Sequence, residues 1–260
     1  MMLTPARLKL TALTLATITC ALSVAFGKDA AKQSLPTFAP GEYVPAGLGH
    51  KQPRPEIPYP GAARARSLPK GRAVVCLLID ADNRVVDSLV TSCTDPLFGK
   101  ALQDYLPNMT FQAARFKGTA VPARYALSYE FESGGLNTNM IDQAAMLPGK
   151  FGTVEMAVAS HTERELDHPL ELASLALPEL PEGYATANGT PPEVVVTFYV
   201  DETGHARLPN VEAAAAPVLI PGAIAAVARW TFKPATIKGK PALVLAARPV
   251  RFLLPEPAKR

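Results

Sequence analysis

The stretch Met109–Pro122, MTFQAARFKGTAVP, has a counterpart in Trp230–Leu243, WTFKPATIKGKPAL. Both contain a Thr-Phe pair, a few turn-forming residues, and then Lys-Gly followed by small and apolar residues. The two stretches lie 121 residues apart. Because Gly adopts positive φ at no steric cost, the shared Lys-Gly predicts the same tight turn in both places. The coincidence predicts that one structural unit occurs twice in this chain.

The similarity extends without a gap from residue 60 to residue 131 when the sequence is shifted by 121. There are 13 identities over the 72 aligned positions, and they fall at turn and core positions in one register. This pattern indicates an internal duplication. We call residues 60–131 the first repeat and residues 181–252 the second repeat.

Each repeat has the pattern of two strands, a helix and a third strand. In the first repeat, RAVVCLLID alternates as a strand, DADNR supplies a reversal and VVDSLVTS returns as the second strand. Asp95 and Pro96 have the character of a helix N-cap and first helical residue. The stretch ARYALSYEF then alternates as a one-sided third strand.

The second repeat follows the same order through EVVVTFYVDETGHAR, a helix from about Pro221 to Trp230, and ALVLAARPVRF. We therefore predict an α+β protein with two tandem small domains, each a three-stranded antiparallel sheet with one helix packed on it. The predicted domains span residues 57–133 and 151–256, with a linker at 134–150. In the segment before the second repeat, FGTVEMAVAS is predicted as a strand and HTERELDHPLELASL as a short helix, both attached to the second repeat.

The N-terminus has the pattern of an export signal. Arg7 and Lys9 precede the uncharged 17-residue stretch Leu10–Phe26, and Ala25 and Gly27 offer small residues for cleavage. We predict a cleaved signal peptide at 1–27 and a periplasmic protein, followed by a proline-rich linker at 28–56. An uncleaved inner-membrane anchor and a lipoprotein at Cys20 are the alternatives.

The overall charge gives no sign of a nucleic-acid partner. The leader holds two of the 26 basic residues, so the remainder is nearly neutral against 23 acidic residues. Export would put Cys76 and Cys93 in an oxidising compartment. However, hairpin pairing puts Cys76 opposite a residue near Ser88, with Cys93 roughly 17 Å further along. A disulfide needs Cα atoms within about 7 Å, so a bridge requires the chain to fold back.

With these elements assigned, each repeat resembles a TonB C-terminal domain, the periplasmic end of an energy transducer that engages outer-membrane transporters. The resemblance covers over half of the chain. Its motif residues in the first repeat are Tyr59, Pro60, Phe111, Gly118 and Phe131. Those in the second repeat are Trp230, Phe232, Pro234, Gly239 and Phe252.

The resemblance implies protein–protein recognition but not energy coupling. The leader lacks the Ser and His that the transducer uses to couple to its motor, and the proline spacer is far shorter. The implied partner is a TonB-dependent outer-membrane transporter or another envelope protein, and a homodimer stays open. The alternative is a structural or adaptor protein of the envelope without energy transduction.

The resemblance also implies binding by strand addition, in which a partner peptide pairs with an open sheet edge. We predict such edges at Ala123, Arg124, Tyr125, Ala126, Leu127, Ser128 and Tyr129, and at Val244, Leu245 and Ala246. Pro249 removes one donor from the second of these strands, so we expect the first repeat to be the better acceptor. The opposing interpretation is that flanking segments or the repeats themselves cover both edges.

No motif indicates an enzyme. His161 and His168, with the acidic residues between them, are better explained as a solvated face than as a metal site. Asp80, Asp82 and Asp201 stand where hairpin turns favour Asp. No phosphate loop, zinc spacing or nucleophile elbow occurs, so we expect no catalytic residue, cofactor or metal. An active site within residues 132–180 is the remaining enzymatic alternative.

Overall fold

The computed structural model describes residues 41–49, 56–133, 156–184, 189–214 and 216–254. These residues all belong to one compact unit. The predicted signal peptide, the linker at 134–150 and most of the proline-rich linker lie outside the described residues. The architecture is mixed α and β with mostly strands, few helices and several small sheets, which confirms the broad class predicted from the sequence.

The first half of the chain contains two short strands followed by the elements of the first repeat. They are β1 (Tyr43–Val44), β2 (Gly47–Leu48), α1 (Gly61–Ala65), β3 (Lys70–Ile79), β4 (Val85–Cys93), α2 (Pro96–Tyr105), a 3₁₀ helix (Leu106–Asn108), β5 (Phe111–Gln112), β6 (Ala114–Phe116), β7 (Thr119–Val121) and β8 (Ala123–Glu132).

The later elements begin with a segment between the repeats. They are β9 (Val158–Ala159), β10 (His161–Thr162), a 3₁₀ helix (Glu163–Glu165), β11 (Leu172–Ser174), β12 (Glu193–Val200), β13 (Ala206–Ala213), α3 (Leu219–Val227), β14 (Thr231–Phe232), β15 (Thr236–Ile237), β16 (Lys240–Pro241) and β17 (Val244–Arg251).

Two four-stranded sheets contain the long strands. The first sheet has the order β8-β3-β4-β9 and the second has the order β10-β17-β12-β13. Three strands of each sheet come from one repeat and are antiparallel, as the sequence pattern predicts. The fourth strand of each sheet comes from the segment between the repeats. The predicted attachment of its first strand to the second repeat is wrong, because β9 pairs with β4 of the first sheet. β10 pairs with β17 of the second sheet.

The registers of the two sheets agree with the 121-residue shift. Each of the eight β12–β17 pairs falls on a β3–β8 pair; Val195 opposite Pro249, for example, falls on Val74 opposite Ser128. Both hairpins also have a bulge after the same position, Val74 in one and Val195 in the other. The sequence repeat is therefore accompanied by a repeat in backbone pairing.

The turns of the two repeats have the same construction. Lys117 and Gly118 have φ values of 50° and 79°, and Lys238 and Gly239 have values of 52° and 73°. Two successive positive φ values are typical of the tight hairpin turn that suits the twist of two strands. The Lys-Gly turn predicted from the opening stretch is confirmed, and it joins β6 to β7 and β15 to β16.

Aspartate organises the long hairpin of each repeat. The Oδ1 atom of Asp80 accepts hydrogen bonds from the backbone N–H groups of Asp82 and Arg84, at 2.9 and 2.8 Å. Asp201 does the same for Thr203 and His205, at 3.0 and 2.9 Å. The Asp side chains thus accept hydrogen bonds from N–H groups of the turn. The sequence pattern predicts Asp at these turn positions.

Each helix packs on the sheet of its own repeat. Asp95 caps α2 by accepting from the N–H of Leu97 at 3.0 Å, and Pro96 occupies the first helical position. Phe98 and Leu102 are buried on the sheet side. The helix α3 spans Leu219–Val227 and is mostly buried, so it begins and ends slightly before the predicted positions.

One hydrophobic core extends through both repeats. Its members include Val75 and Leu77 from β3, and Val196 and Phe198 from β12, all fully buried. The strand β13 contacts β8, β3 and β4 of the first sheet. The division into two domains at the predicted boundaries stays a prediction.

The segment between the repeats differs from its predicted form. Of the predicted strand FGTVEMAVAS, only Val158–Ala159 is a described strand, while its first five residues lie outside the described residues. The predicted helix HTERELDHPLELASL is wrong: it contains only the three-residue 3₁₀ helix, flanked by β10 and β11. Its polar, extended residues pair with strands of the second repeat instead.

The two cysteines in the described residues are free and buried. Cys76 lies opposite Leu89, one residue from the predicted partner, and Cys93 lies opposite Ala73. Because Ala73 and Cys76 are three residues apart on β3, the thiols of Cys76 and Cys93 project from opposite faces of the sheet. Burial is the main cause of the raised pKa of the Cys93 thiol.

Candidate partner-binding edges

The outer edge of β8 is the main candidate site. β8 ends the first sheet, and it pairs with β3 through ten register positions, from Lys70 opposite Glu132 to Ile79 opposite Ala123. No other strand among the described residues pairs with β8. This edge contains all seven residues that the sequence pattern places in the first repeat's accepting strand.

The direction of the backbone groups in β8 follows from one hydrogen bond. The N–H of Arg124 donates to the side-chain Oδ1 of Asn210 at 2.9 Å, away from β3. Because antiparallel residues alternate between bonded and non-bonded pairs, the N–H groups of Ala126, Ser128 and Glu130 also point away from β3. These are the groups that an added strand would use.

Access to this edge is uneven along β8. Leu127, Ser128 and Tyr129 are buried, with exposed fractions of 1%, 2% and 4%. Arg124 and Glu130 are partly exposed. A partner strand would therefore reach the ends of β8 first and would have to displace neighbouring atoms at its middle.

Ser128 is unusual because its hydroxyl is buried without a hydrogen-bond partner in the structure. An unpaired buried hydroxyl is costly. Removing this hydroxyl should therefore not destabilise the fold, which makes position 128 suitable for substitution.

The equivalent edge in the second repeat is occupied by the chain itself. Val244 and Leu245 of β17 pair in parallel with His161 and Thr162 of β10. Ala246 lies in the same strand opposite Phe198 and is buried. At this edge the structure agrees with the opposing interpretation, in which a flanking segment covers the strand.

Two further backbone groups of β17 do not serve an added strand. The carbonyl of Ala247 accepts from the guanidinium of Arg248 at 2.7 Å. Pro249 has no N–H to donate. The two equivalent edges therefore have different chemistry although their inner ladders share a register.

The contact between the two sheets contains a polar network around Arg124. Its guanidinium donates to Thr197 Oγ1 at 3.1 Å and lies over the ring of Tyr199, 5.1 Å from the centroid. Glu212 accepts from Thr197 at 2.7 Å and from Asn210 at 2.9 Å. Burial raises the pKa of the Tyr199 phenol, so this ring stays neutral beside the guanidinium.

An ion pair joins the sheets at a second point. Arg207 of β13 donates through Nε to Asp87 of β4 at 2.9 Å, and through a terminal nitrogen to the carbonyl of Ser88 at 3.2 Å. Sequence patterns could not reveal this pair because it depends on how two sheets pack. It fixes β13 against the first sheet and leaves Asn210 beside the N–H of Arg124.

The family-motif residues of the first repeat are structural. The rings of Tyr59, Phe98 and Phe131 pack together, with Tyr59–Phe98 centroids 5.8 Å apart. The ring centroids of Phe111 and Tyr125 lie 6.3 Å apart. Pro60 precedes α1. These residues position β8 without presenting side chains for a partner, and Gly118 belongs to the turn described above.

The motif residues of the second repeat form a corresponding aromatic cluster. Phe198 lies 5.7 Å from Trp230 and 5.5 Å from Phe232, between ring centroids. The indole N–H of Trp230 donates to the carbonyl of Ala176 at 2.7 Å. Phe252 is buried, Pro234 follows β14, and Gly239 belongs to the turn.

The described residues also bear on metal sites and membrane-spanning helices. Within the described ranges, no group of three His, Cys, Asp or Glu residues could hold a metal ion. His161 instead lies 2.9 Å from Glu165 through its Nδ1 atom. Among the helices described, none has the length and apolarity needed to cross a membrane.

Comparisons of this chain with protein-family models, with curated proteins and with solved structures find no match.

Proposed function

We propose that this chain is a periplasmic protein–protein recognition module that resembles the TonB C-terminal domain. In this proposal, residues 57–133 and 151–256 are two copies of one β-β-α-β unit, and the edge of β8 takes up an extended segment of the partner. The observation that carries the proposal is the position of β8. It is a ten-residue strand at the end of a sheet, with no further strand beside it among the described residues.

The proposed partner is the N-terminal segment of a TonB-dependent outer-membrane transporter, or an extended segment of another envelope protein. An added strand gains main-chain hydrogen bonds from the edge and side-chain specificity from both faces. The partly exposed Arg124, Tyr125 and Glu130 border the accessible parts of β8. Recognition of this kind requires no nucleic acid, metal or cofactor.

A second candidate function is an envelope adaptor without energy transduction. It is favoured by the covered edge of β17 and by the polar network between the two sheets. In such a protein the sheet edges are paired within the chain, and partners would bind to exposed side chains on its surface. The two functions differ in whether binding depends on the backbone of β8.

The test is a proline at position 128. Pro249 occupies the equivalent position in β17, opposite Val195, so this backbone site tolerates proline in the second repeat. Ser128→Pro removes one outward N–H from β8, whereas the matched control Ser128→Ala removes the same hydroxyl and keeps the N–H. Both variants are made in the full chain, and circular dichroism verifies that they are folded.

The measurement is binding of synthetic peptides that copy transporter N-terminal segments, by fluorescence anisotropy. We expect Ser128→Pro to bind at least about tenfold more weakly than Ser128→Ala, which is about 1.4 kcal/mol. Equal binding by the two folded variants would reject strand addition at β8. Pull-down from envelope extracts with an unchanged yield for Ser128→Pro would favour the adaptor.

A further inference from the structure

The outer edge of β17 has an internal occupant. We call residues His161–Glu165 the strap. His161 and Thr162 pair in parallel with Val244 and Leu245, and the N–H of His161 donates to the carbonyl of Leu243 at 2.9 Å. The strap thus lies where, in the first repeat, the proposed partner strand would pair with β8.

The strap is attached by few backbone positions. Only two of its residues pair with β17, although β17 itself is eight residues long. Arg164 and Glu165 are exposed, and the other three residues are half-buried. Little apolar surface is therefore buried by the strap, so hydrophobic burial contributes little to holding it.

One ion pair joins the strap to β17, and a capping box keeps the strap in shape. Both carboxylate oxygens of Glu163 accept from Arg248, at 2.6 and 2.7 Å. Glu165 accepts from the N–H and the hydroxyl of Thr162, at 2.8 and 2.9 Å, and completes a capping box. A paired fork of this kind gives geometric specificity, but partly exposed ion pairs contribute only about 1 kcal/mol or less.

Exchange of the strap for another strand would cost little. An extended peptide could form the same backbone hydrogen bonds with Leu243 and Leu245 that the strap forms, so the ladder itself would be conserved. The strap's main advantage is that it belongs to the same chain. A tethered segment acts at an effective concentration on the order of millimolar.

From these observations we propose that the β17 edge is a second strand-binding surface, which the strap occupies until an extended segment of a partner protein displaces it. This inference rests on the proposed function of the β8 edge and extends it to the second repeat. It makes the strap a competitor for the partner. Glu163 holds it to Arg248. Glu165 keeps its capped shape, and Asp167 anchors the chain just beyond it.

The test uses the chain's own strap as the probe. A labelled peptide copying residues 156–167, MAVASHTERELD, is added to the full-length protein and to the full-length double variant Glu163→Gln/Glu165→Gln. The variant keeps the size of both side chains but removes the charges that bind Arg248 and Thr162. The control protein is Glu182→Gln/Glu202→Gln, which loses the same charge at two exposed positions.

We expect the loosened variant to bind the peptide about three- to fivefold more tightly than the wild type, and the control to behave as the wild type does. Hydrogen exchange should show reduced protection of Leu245 in the variant and its restoration by peptide. A peptide with proline at the position of His161 lacks the N–H for Leu243 and should not bind. Equal binding to variant and wild type, or no binding to either, would overturn the proposal.

Two further measurements keep the result unambiguous. The single variant Glu163→Gln loses the ion pair with Arg248 and keeps the capping box, and it should also bind the peptide more tightly than the wild type. It replaces the double variant if that variant does not fold. Adding Ser128→Pro to the loosened variant should leave peptide binding unchanged; loss of binding would place the peptide on β8 and overturn the assignment to β17.

Discussion

The third strands β8 and β17 have the same inner ladder and different outer neighbours. Eight register pairs of β17 with β12 coincide with pairs of β8 with β3 after a shift of 121 residues. On the outside, Arg124 of β8 meets the side chain of Asn210, whereas Leu245 of β17 meets the strap. The comparison teaches that a duplicated strand keeps its register on the core side while its outer edge acquires a different neighbour.

The two repeats also carry different side chains at equivalent positions on the sheet faces that pack together. Cys76 and Thr91 of the first repeat fall on Thr197 and Glu212 of the second. The first pair approaches through sulfur and hydroxyl at 3.5 Å, and the second through a hydroxyl and a carboxylate at 2.7 Å. The second pair contacts Arg124 of the first sheet, whose guanidinium donates to the hydroxyl of Thr197 and lies 3.9 Å from the carboxylate of Glu212.

The largest predicted effect concerns the shared core. Phe198→Ala should destabilise the protein by about 3–5 kcal/mol, and Leu77→Ala at the equivalent position by about 2–5 kcal/mol, because each leaves a cavity among fully buried side chains. Since both residues belong to one hydrophobic core, we expect one unfolding transition, displaced in both variants. Calorimetry of the full chain measures this.

The control for the core variants is Val86→Ala, at a residue that is 57% exposed, which should change stability by about 0.5 kcal/mol or less. Two transitions, with only one displaced by each core variant, would instead mean that the repeats unfold independently. That result would support the division into two domains.

The second prediction compares two turn residues. Gly204 has φ of +91°, and a Cβ atom there would lie 2.2 Å from the carbonyl oxygen of Phe232. Gly204→Ala should therefore cost about 1–3 kcal/mol through overpacking and backbone strain. The equivalent residue Asn83 has φ of 68°, and its side chain accepts from the N–H of Ala113 at 2.8 Å.

Asn83→Gly is the matched substitution, because it keeps the backbone conformation and loses only the acceptor. It should cost about 1 kcal/mol. Urea unfolding of both variants gives the order of the two effects. A larger loss for Asn83→Gly than for Gly204→Ala would mean that contact with the Phe232 carbonyl does not limit the second turn.

These turns show what the sequence predicts well. Lys117-Gly118 and Lys238-Gly239 are determined by local chemistry, since positive φ and a two-residue reversal favour Gly. The strands β8, β12 and β17 follow from alternation over eight to ten residues, and β3 follows from a continuous apolar run between turn signals. Such features need no knowledge of distant partners, so the mixed α/β class was predictable.

The strap and the pairing across the sheets were not predictable in the same way. The stretch HTEREL contains helix-favouring residues, but its backbone groups find partners in Leu243 and its Glu163 finds Arg248, 85 positions away. Tertiary pairing overrides local propensity in such short segments. The capping pattern Thr162-Glu163-Arg164-Glu165 was the one local signal, and it marks the 3₁₀ helix.

The third prediction concerns acid and the strap. The hydrogen bond with His161, followed by those from Thr162, lowers the pKa of Glu165 from 4.5 to about 2. A carboxyl with a depressed pKa stabilises the folded form above its unfolded pKa, and this contribution is lost as the pH falls. We expect the strap to loosen between about pH 4.5 and 2, without a matching change at β8.

Nuclear magnetic resonance measures this through the amide shifts of Thr162 and Leu245 as the pH is lowered. The control is Glu165→Gln, which cannot titrate at this position and should show weaker pH dependence of both amides. An identical pH profile in the wild type and in Glu165→Gln would show that other carboxyl groups control the acid response of the strap.

The smallest predicted effect compares two ion pairs whose charges are exchanged. Arg72 pairs with Glu130 in the first sheet, and Glu193 pairs with Arg251 at the same register position in the second. The side chains of the first pair are 30% and 26% exposed, and those of the second are 44% and 77% exposed. Because exposed pairs are screened and lose side-chain entropy, we expect a coupling of about 0.5–1 kcal/mol for the first and about 0–0.3 kcal/mol for the second.

Double-mutant cycles with Arg72→Met and Glu130→Gln, and with Glu193→Gln and Arg251→Met, measure the two couplings. Exchanging the charges leaves the Coulomb attraction unchanged in sign, so exposure is the main difference between the pairs. Higher salt should reduce the coupling of the exposed pair by the larger fraction. A coupling between Glu193 and Arg251 as strong as that between Arg72 and Glu130 would mean that the register position, rather than burial, sets the strength of both pairs.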